Sequence, residues 1–248
     1  MEKIEIVPGI FLTSDYCIYY EPKEAVILAD LHLGYEAYLS EQGITVPSYQ
    51  KENILNRLST IIEKYRPKSM VIVGDLKHEF GKNREDEFRD VMDVMEFITD
   101  STNLAVVRGN HDNFLQTITS TVGVPFYQES FEVDDLLMVH GHKEISWGEE
   151  EFLVMGHEHP SILIRDEVGA GMKLPCFLYH EEEKIMVLPA FSPLAEGRDV
   201  SRKSSFFSEA LRCREIPISE FRVFVISESG IIDFHTLAEI RKAYPDII

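Results

Sequence analysis

A mixed α/β fold is predicted by three observations. Short apolar runs alternate with amphipathic helical segments, later runs come in turn-linked pairs, and five runs end in His, Asp or Asn. Short β-rich runs open the chain at residues 4–7, 10–13, 17–20 and 25–29, separated by Pro-Gly, Ser-Asp and Glu-Pro-Lys turn material. They read as antiparallel strands leading into a buried one. Between 48 and 65, Ile54, Leu55, Leu58, Ile61, Ile62 and Tyr65 recur at helical spacing, and Pro67 follows as a stop. The spacing predicts an amphipathic helix.

Residues 69–73 form a short apolar strand ending at Gly74-Asp75. Helical period returns over 85–99 through Phe88, Val91, Met92, Met95 and Ile98. Residues 104–107 are the next strand, ending at Arg108-Gly109-Asn110-His111-Asp112. Strand, helix, strand, helix, strand implies βαβ units with a parallel sheet at their centre. Residues 136–139 and 152–155 are apolar strands that run directly into histidines. The pairs 176–179 with 185–188, and 222–227 with 230–234, flank polar turns and read as hairpins, which makes the sheet arrangement mixed. No repeat, low-complexity linker or composition break divides the 248 residues, so a single domain is expected.

Composition narrows the class. The chain carries 24 Lys plus Arg against 43 Asp plus Glu, a formal charge of −19, with 44% apolar residues. Such a chain can bury a sizeable core without disulfide or metal staples. Its acidity disfavours a long nucleic-acid track, which would need clustered cations. Cys17, Cys176 and Cys213 are widely spaced and outside any Cys-x-x-Cys pattern, so a reducing, intracellular setting is expected. The charged start Met1-Glu-Lys lacks signal-peptide character and no apolar run approaches roughly 18 residues, so a soluble, cytoplasmic protein without a membrane partner is expected.

The five strand ends carry the chemistry. Asp30-Leu-His32 follows the run at 25–29, and Asp75 follows 69–73. Asn110-His111-Asp112 follows 104–107, His140-Gly-His142 follows 136–139, and His157-Glu-His159 follows 152–155. In α/β folds the loops at the carboxyl ends of strands converge on one crevice, so seven or more metal-capable side chains would meet there. Asp-x-His and Gly-Asp are individually weak signals. Asn-His-Asp, by contrast, is expected by chance about 0.01 times in a chain of this composition, and Gly-His-x-His about 0.02 times. Asp30 and Asp75 alone could be turn caps, and single histidines could bind backbone carbonyls; all of them in order at strand ends favour a metal site. His78, His180 and His235 are assigned ordinary structural roles, and the cysteines ordinary packing.

With those residues in view the chain resembles the calcineurin-like metallophosphoesterase superfamily, whose blocks stand here as Asp30-Leu-His32, Gly74-Asp75, Gly109-Asn110-His111-Asp112, His140 and Gly156-His157-Glu-His159. Wider matches at 30–36, 74–80 and 189–194 look like the ICC-like branch that includes DNA-ligase-associated phosphoesterases, over about residues 25–195. The resemblance implies a four-layer α/β/β/α sandwich with two mixed sheets, followed by C-terminal hairpins and a helix over 196–248. It implies one metal held by Asp30, His32, Asp75 and His159 and a second held by Asp75, Asn110, His140 and His157. It makes His111 the group facing the scissile phosphate, oriented by Asp112. His78 departs from the acidic residue common at that position.

This chemistry suits phosphate esters. Two divalent ions about 3.5–4 Å apart can ionise a shared water and clamp both sides of an in-line displacement. Imidazole, carboxylate and amide donors without thiolate suit manganese foremost, with Fe, Zn, Ni or Co as further candidates. The expected activity is a dinuclear metal-dependent phosphoesterase, of phosphodiesterase or nuclease type, attacking with a metal-bridging hydroxide. Its expected partners are phosphate esters, nucleotides or single-stranded nucleic-acid ends. The alternatives are a phosphomonoesterase or protein phosphatase, or a non-catalytic metal-binding scaffold.

Overall fold

A computed structural model of the chain describes residues 1–44, 46–81, 85–149, 151–165 and 170–244. The loops 34–50, 77–87 and 142–151, expected to shape substrate choice, contain residues 45, 82–84 and 150, which lie outside the described residues.

The first sheet follows chain order: β1 (Lys3–Val7), β2 (Ile10–Thr13), β3 (Ile18–Tyr20), β4 (Ala25–Leu28), β5 (Ser69–Val73), β6 (Asn103–Val107) and β7 (Phe126–Tyr127). β1 to β4 pair antiparallel, because turns of a few residues join them. β4 to β7 pair parallel, because their crossovers hold α1 (Tyr35–Glu41), α2 (Gln50–Tyr65), α3 (Glu85–Thr99) and α4 (Leu115–Val122). The second sheet contains β8 (Ser130–Val133), β9 (Leu136–Val139), β10 (Phe152–Met155), β11 (Pro160–Arg165), β12 (Gly171–His180), β13 (Ile185–Val187) and β14 (Arg198–Asp199). Its order is β14-β11-β12-β13-β10-β9-β8, with β15 (Arg222–Ser227) paired to β12 and β16 (Gly230–Thr236) paired to β15. Helices α5 (Glu209–Arg212) and α6 (Leu237–Ala243) complete the chain.

Alternation along each strand explains how these sheets stack. Val26, Leu28, Met70 and Ile72 face Ile54, Leu58 and Ile61 of α2 and Val91, Met95 and Ile98 of α3. Their neighbours Ile27, Val71 and Val73 point the other way, into a core shared with Met138, Val154, Phe177, Met186 and Phe224 of the second sheet. The outer face of that sheet, with Leu153, Leu178 and Val223, packs on Leu211, Leu237 and Ile240 of α5 and α6. The result is four layers, α/β/β/α, and it accounts for strands apolar on both faces rather than alternating.

β12 is longer than the run at 176–179 suggested. Residues 171–175 pair with β11 and residues 176–180 pair with β13 and β15, so Pro175 stands where the strand changes partners. A proline without an amide hydrogen is tolerated at such a break and reads, from sequence, as the end of a strand.

Candidate metal centre

β4, β5 and β6 run parallel, as do β9 and β10, and the loops after all five meet where the two sheets adjoin. Backbone bonds carry the β4–β5 pairing past the strand ends: Asp30 N–H donates to the Gly74 carbonyl at 3.1 Å, His32 to Asp75 at 2.9 Å and Leu33 to Leu76 at 2.9 Å. From the opposite side, Phe191 donates to the Ala29 carbonyl and Ser192 to the Asp30 carbonyl, so the segment 189–194 backs the first ligand loop.

Backbone strain concentrates here. Asp30, His32, Asp75, His157 and His159 all have positive φ, between 44° and 69°, a conformation that side chains with a Cβ seldom adopt. Such conformations persist when surrounding contacts over-determine them, as these bonds do. Two glycines permit the close approach: a Cβ on Gly74, whose φ is +82°, would overlap the His140 ring, and a Cβ on Gly109 would overlap Asp75.

The ligand-type atoms converge. Asp30 is fully buried; its Oδ2 accepts the His157 backbone N–H at 3.0 Å, while its Oδ1 has no hydrogen-bond partner and lies 3.4 Å from His159 Nε2. Asp75 accepts the His111 backbone N–H on Oδ1 at 2.9 Å. Its Oδ2 lies 3.3 Å from His140 Nε2, 3.8 Å from His32 Nε2 and 3.9 Å from His111 Nε2. His32 Nε2 and His159 Nε2 approach to 3.2 Å, and Asn110 Oδ1 is 3.0 Å from His140 Nε2. Asp30, His32 and His159 each place a ligand atom within 4.8 Å of one another, as do Asp75, His140 and His157.

The electrostatics ask for positive charge. Burial would push the Asp75 carboxyl up, but His140, His32 and His111 together hold it well below the usual carboxylate range. Burial likewise opposes ionisation of Asp30, and His159 and His140 overcome it. Burial works against a proton on His140, yet Asp75 and Asp30 pull that imidazole up to about 9. Burial and the neighbouring His159 press His32 down to about 3, and burial and His140 press His157 down to about 4. The charge that His140 takes up as a proton is the charge a divalent cation supplies. A buried carboxylate oxygen without a hydrogen-bond partner, four clustered imidazoles and no thiolate form a donor set that fits such a cation.

Asp112 does something other than expected. It is buried, and its Oδ2 accepts the Gly109 N–H at 2.7 Å while its Oδ1 accepts the N–H groups of Leu76 and Lys77 at 3.0 and 3.3 Å. The ring of His111 is oriented instead by the carbonyl of His78, which faces its Nδ1. Asp112 therefore ties the loop after β6 to the loop after β5 and does not orient His111. Its own carboxyl is raised to about 7, by burial first and then by the charge of Asp75.

His78 also departs from its expected ordinary role. Its ring stacks on His111 with centroids 5.3 Å apart, and its Nδ1 is 3.4 Å from His32 Nδ1. Glu87 of α3 fixes this loop by accepting the N–H groups of His78 and Glu79, and the buried Lys77 lies 3.6 Å from it. His180 keeps its structural role, beside Glu220 at 3.3 Å and far in the fold from the centre.

Sequence reasoning missed the supports. Gln50 donates to the His32 carbonyl at 2.8 Å and to Ser192 Oγ at 3.1 Å. Glu158, between two histidines of the centre, is buried and pairs with Arg198 at 2.8 Å. Its other oxygen accepts the Ser208 N–H. Long-range partners of this kind leave no local pattern; only the odd position of an acid inside His-x-His hinted at one.

The centre opens into a cleft of about 830 Å³ walled by Tyr35, His78 and His111 on one side and by Lys173, Arg198 and Phe207 on another. Among the described residues no helix is long and apolar enough to cross a membrane.

Comparison with known proteins agrees with this architecture. A search of curated sequences found no match. Among solved structures, the Pseudomonas putida nuclease MPE superposes with a TM-score of 0.68 at 19% identity, over 94% of this chain and 98% of that one. YfcE, a phosphoesterase from E. coli, aligns over 82% of this chain and 88% of that one, with 14% identity and a TM-score of 0.41. The family model described as calcineurin-like phosphoesterase matches residues 25–170, the segment that contains all five strand-end motifs. The chain belongs to the calcineurin-like phosphoesterase family and is, by that membership, a phosphoester hydrolase.

Proposed function

We propose that the protein is a dinuclear metal-dependent phosphodiesterase of nuclease type, with manganese as its working metal and the cytoplasm as its compartment. The observation that carries this reading is the pair of ligand groups, Asp30-His32-His159 and Asp75-His140-His157, drawn together around Asp75 Oδ2. Asp75 belongs to the second group and its Oδ2 also lies 3.8 Å from His32 of the first, while Asn110 adds a neutral oxygen beside His140. When bound, two divalent ions supply Lewis-acid charge and an ionised water for attack at phosphorus.

The chain's own residues do the rest. Asp75 anchors the His111 backbone, which fixes where that ring can stand. The His78 carbonyl requires a hydrogen on His111 Nδ1, so Nε2 is the nitrogen left to face substrate. A proton held at Nε2 can pass to the leaving oxygen, and the ring is 26% exposed, enough for contact with an ester in the cleft. Arg198, paired with Glu158, and Lys173, which donates to the Gly197 carbonyl, line the cleft.

A diester is favoured because a solved structure that matches nearly the whole chain is described as a nuclease. The test is turnover of bis-(p-nitrophenyl) phosphate and of a single-stranded oligonucleotide with Mn²⁺, abolished by chelator. Hydrolysis of p-nitrophenyl phosphate alone would instead assign a monoesterase, and a metal-loaded sample inert on every ester would remove the enzymatic reading.

A further inference from the structure

Phe207 leaves 61% of its surface exposed, which for one apolar residue means little. Its surroundings are unusual. On one side Phe206 is buried against Phe221, with ring centroids 4.8 Å apart. On the other side Ser208 is fully buried; its N–H donates to Glu158 and its hydroxyl donates to the Gly141 carbonyl at 2.6 Å. The exposed ring is therefore clamped between two buried residues, and the clamp is fastened to the chain beside His140, His157 and His159. The ring itself lies 5.1 Å from the His157 ring at an interplanar angle of 31° and lines the cleft.

A second aromatic group stands beyond the other ligand set. Tyr35 packs on His78 at 4.2 Å, Tyr38 on His78 at 4.9 Å and Phe80 on His111 at 5.9 Å. Both ester arms of a phosphate held between the ligand groups would thus meet an aromatic face. A net charge of −19 disfavours a track of surface cations for a polyanion, so uncharged contacts carry a larger share of any affinity for a nucleic-acid strand. Rings that accept a stacked base supply that, and they do so without regard to sequence.

We propose that Phe207 is a specificity-determining residue on which a nucleobase of a single-stranded nucleic-acid substrate stacks, next to the scissile phosphate. This rests on the phosphodiesterase reading and sharpens it: the substrate carries a planar base on the His157 side of the centre, and residues 201–208, outside the family-matched segment, select it.

The test compares two manganese-supported reactions, on thymidine 5′-(p-nitrophenyl phosphate) and on methyl p-nitrophenyl phosphate, which has no base. The ratio of kcat/KM for the first to that for the second is expected to fall about tenfold in Phe207→Ala, through KM, and to return in Phe207→Trp. An independent reading uses Phe207→Trp, since the chain's one native tryptophan, Trp147, is buried. Thymidine 5′-monophosphate should quench the added indole and inorganic phosphate should not. An unchanged ratio in Phe207→Ala, or equal quenching by both anions, overturns the stacking role while leaving the phosphodiesterase standing. Wild-type protein inert on both esters overturns the phosphodiesterase reading and this inference with it.

Discussion

Glu158 and Arg198 form a buried-to-surface ion pair, 2.8 Å long, in which the acid is enclosed between His157 and His159 and the cation reaches in from β14. The pair joins the last ligand hairpin to the C-terminal third of the chain. Removing the cation leaves a buried carboxylate that, among the described residues, keeps the Ser208 N–H as its hydrogen-bond donor.

Arg198→Ala is accordingly expected to destabilise the protein by about 1–2 kcal/mol, a value discounted because Arg198 is itself partly exposed. It should also weaken manganese binding, since the backbone of both histidines loses its support. Thermal melting and calorimetric metal titration measure the two effects; a wild-type titration curve would show that the pair does not position the ligands.

Asp112 satisfies three backbone N–H groups, so its replacement orphans buried donors. Asp112→Ala is expected to cost about 2–3 kcal/mol and lower the melting temperature by roughly 5–10 °C. Were Asp112 instead the group that orients His111, the melting curve would stay put while kcat fell.

His111 stands in neither group of the centre, although its ring comes within 4.8 Å of His32 and His78; it meets Asp75 through its backbone N–H on Oδ1 and its ring 3.9 Å from Oδ2. His111→Ala should therefore retain metal while kcat drops by about 10²- to 10⁴-fold, the span of a lost general acid. Asp75→Asn should fail to hold metal at all. Metal content by atomic emission alongside turnover separates the two, and metal loss in His111→Ala would contradict the assignment.

Much of the fold was legible because its signals are local. The helices over 50–65 and 85–99 show clean 3.6-residue periods, and the strands at 69–73, 136–139, 152–155 and 222–227 are short apolar runs bounded by polar residues. Helix α1 was illegible because none of its residues is buried, so no apolar stripe marks it, and α4 because Thr, Ser and Gln interrupt its period. β14 is two residues long and depends on pairing with the distant β11. At the centre, residue types and order pointed to the ligand-type side chains. The anchor of His111 was not legible, because the His78 carbonyl belongs to backbone and carries no residue signature. The same holds for Gln50 and Ser208, whose partners lie 18 and 67 residues away.

The interface between the sheets gives a check on the architecture alone. Phe177 is fully buried among residues of both sheets, and Phe177→Ala is expected to cost about 3–5 kcal/mol, measured by denaturant unfolding. A loss below about 1 kcal/mol would mean the sheets are not packed through it.

Two cations sharing Asp75 would define this centre. Anomalous diffraction from crystals soaked in manganese measures this directly. Two peaks are predicted, one within coordination distance of Asp30, His32 and His159 and one of His140 and His157, with Asp75 reaching both. A single peak, or manganese anywhere else at saturating concentration, would contradict it.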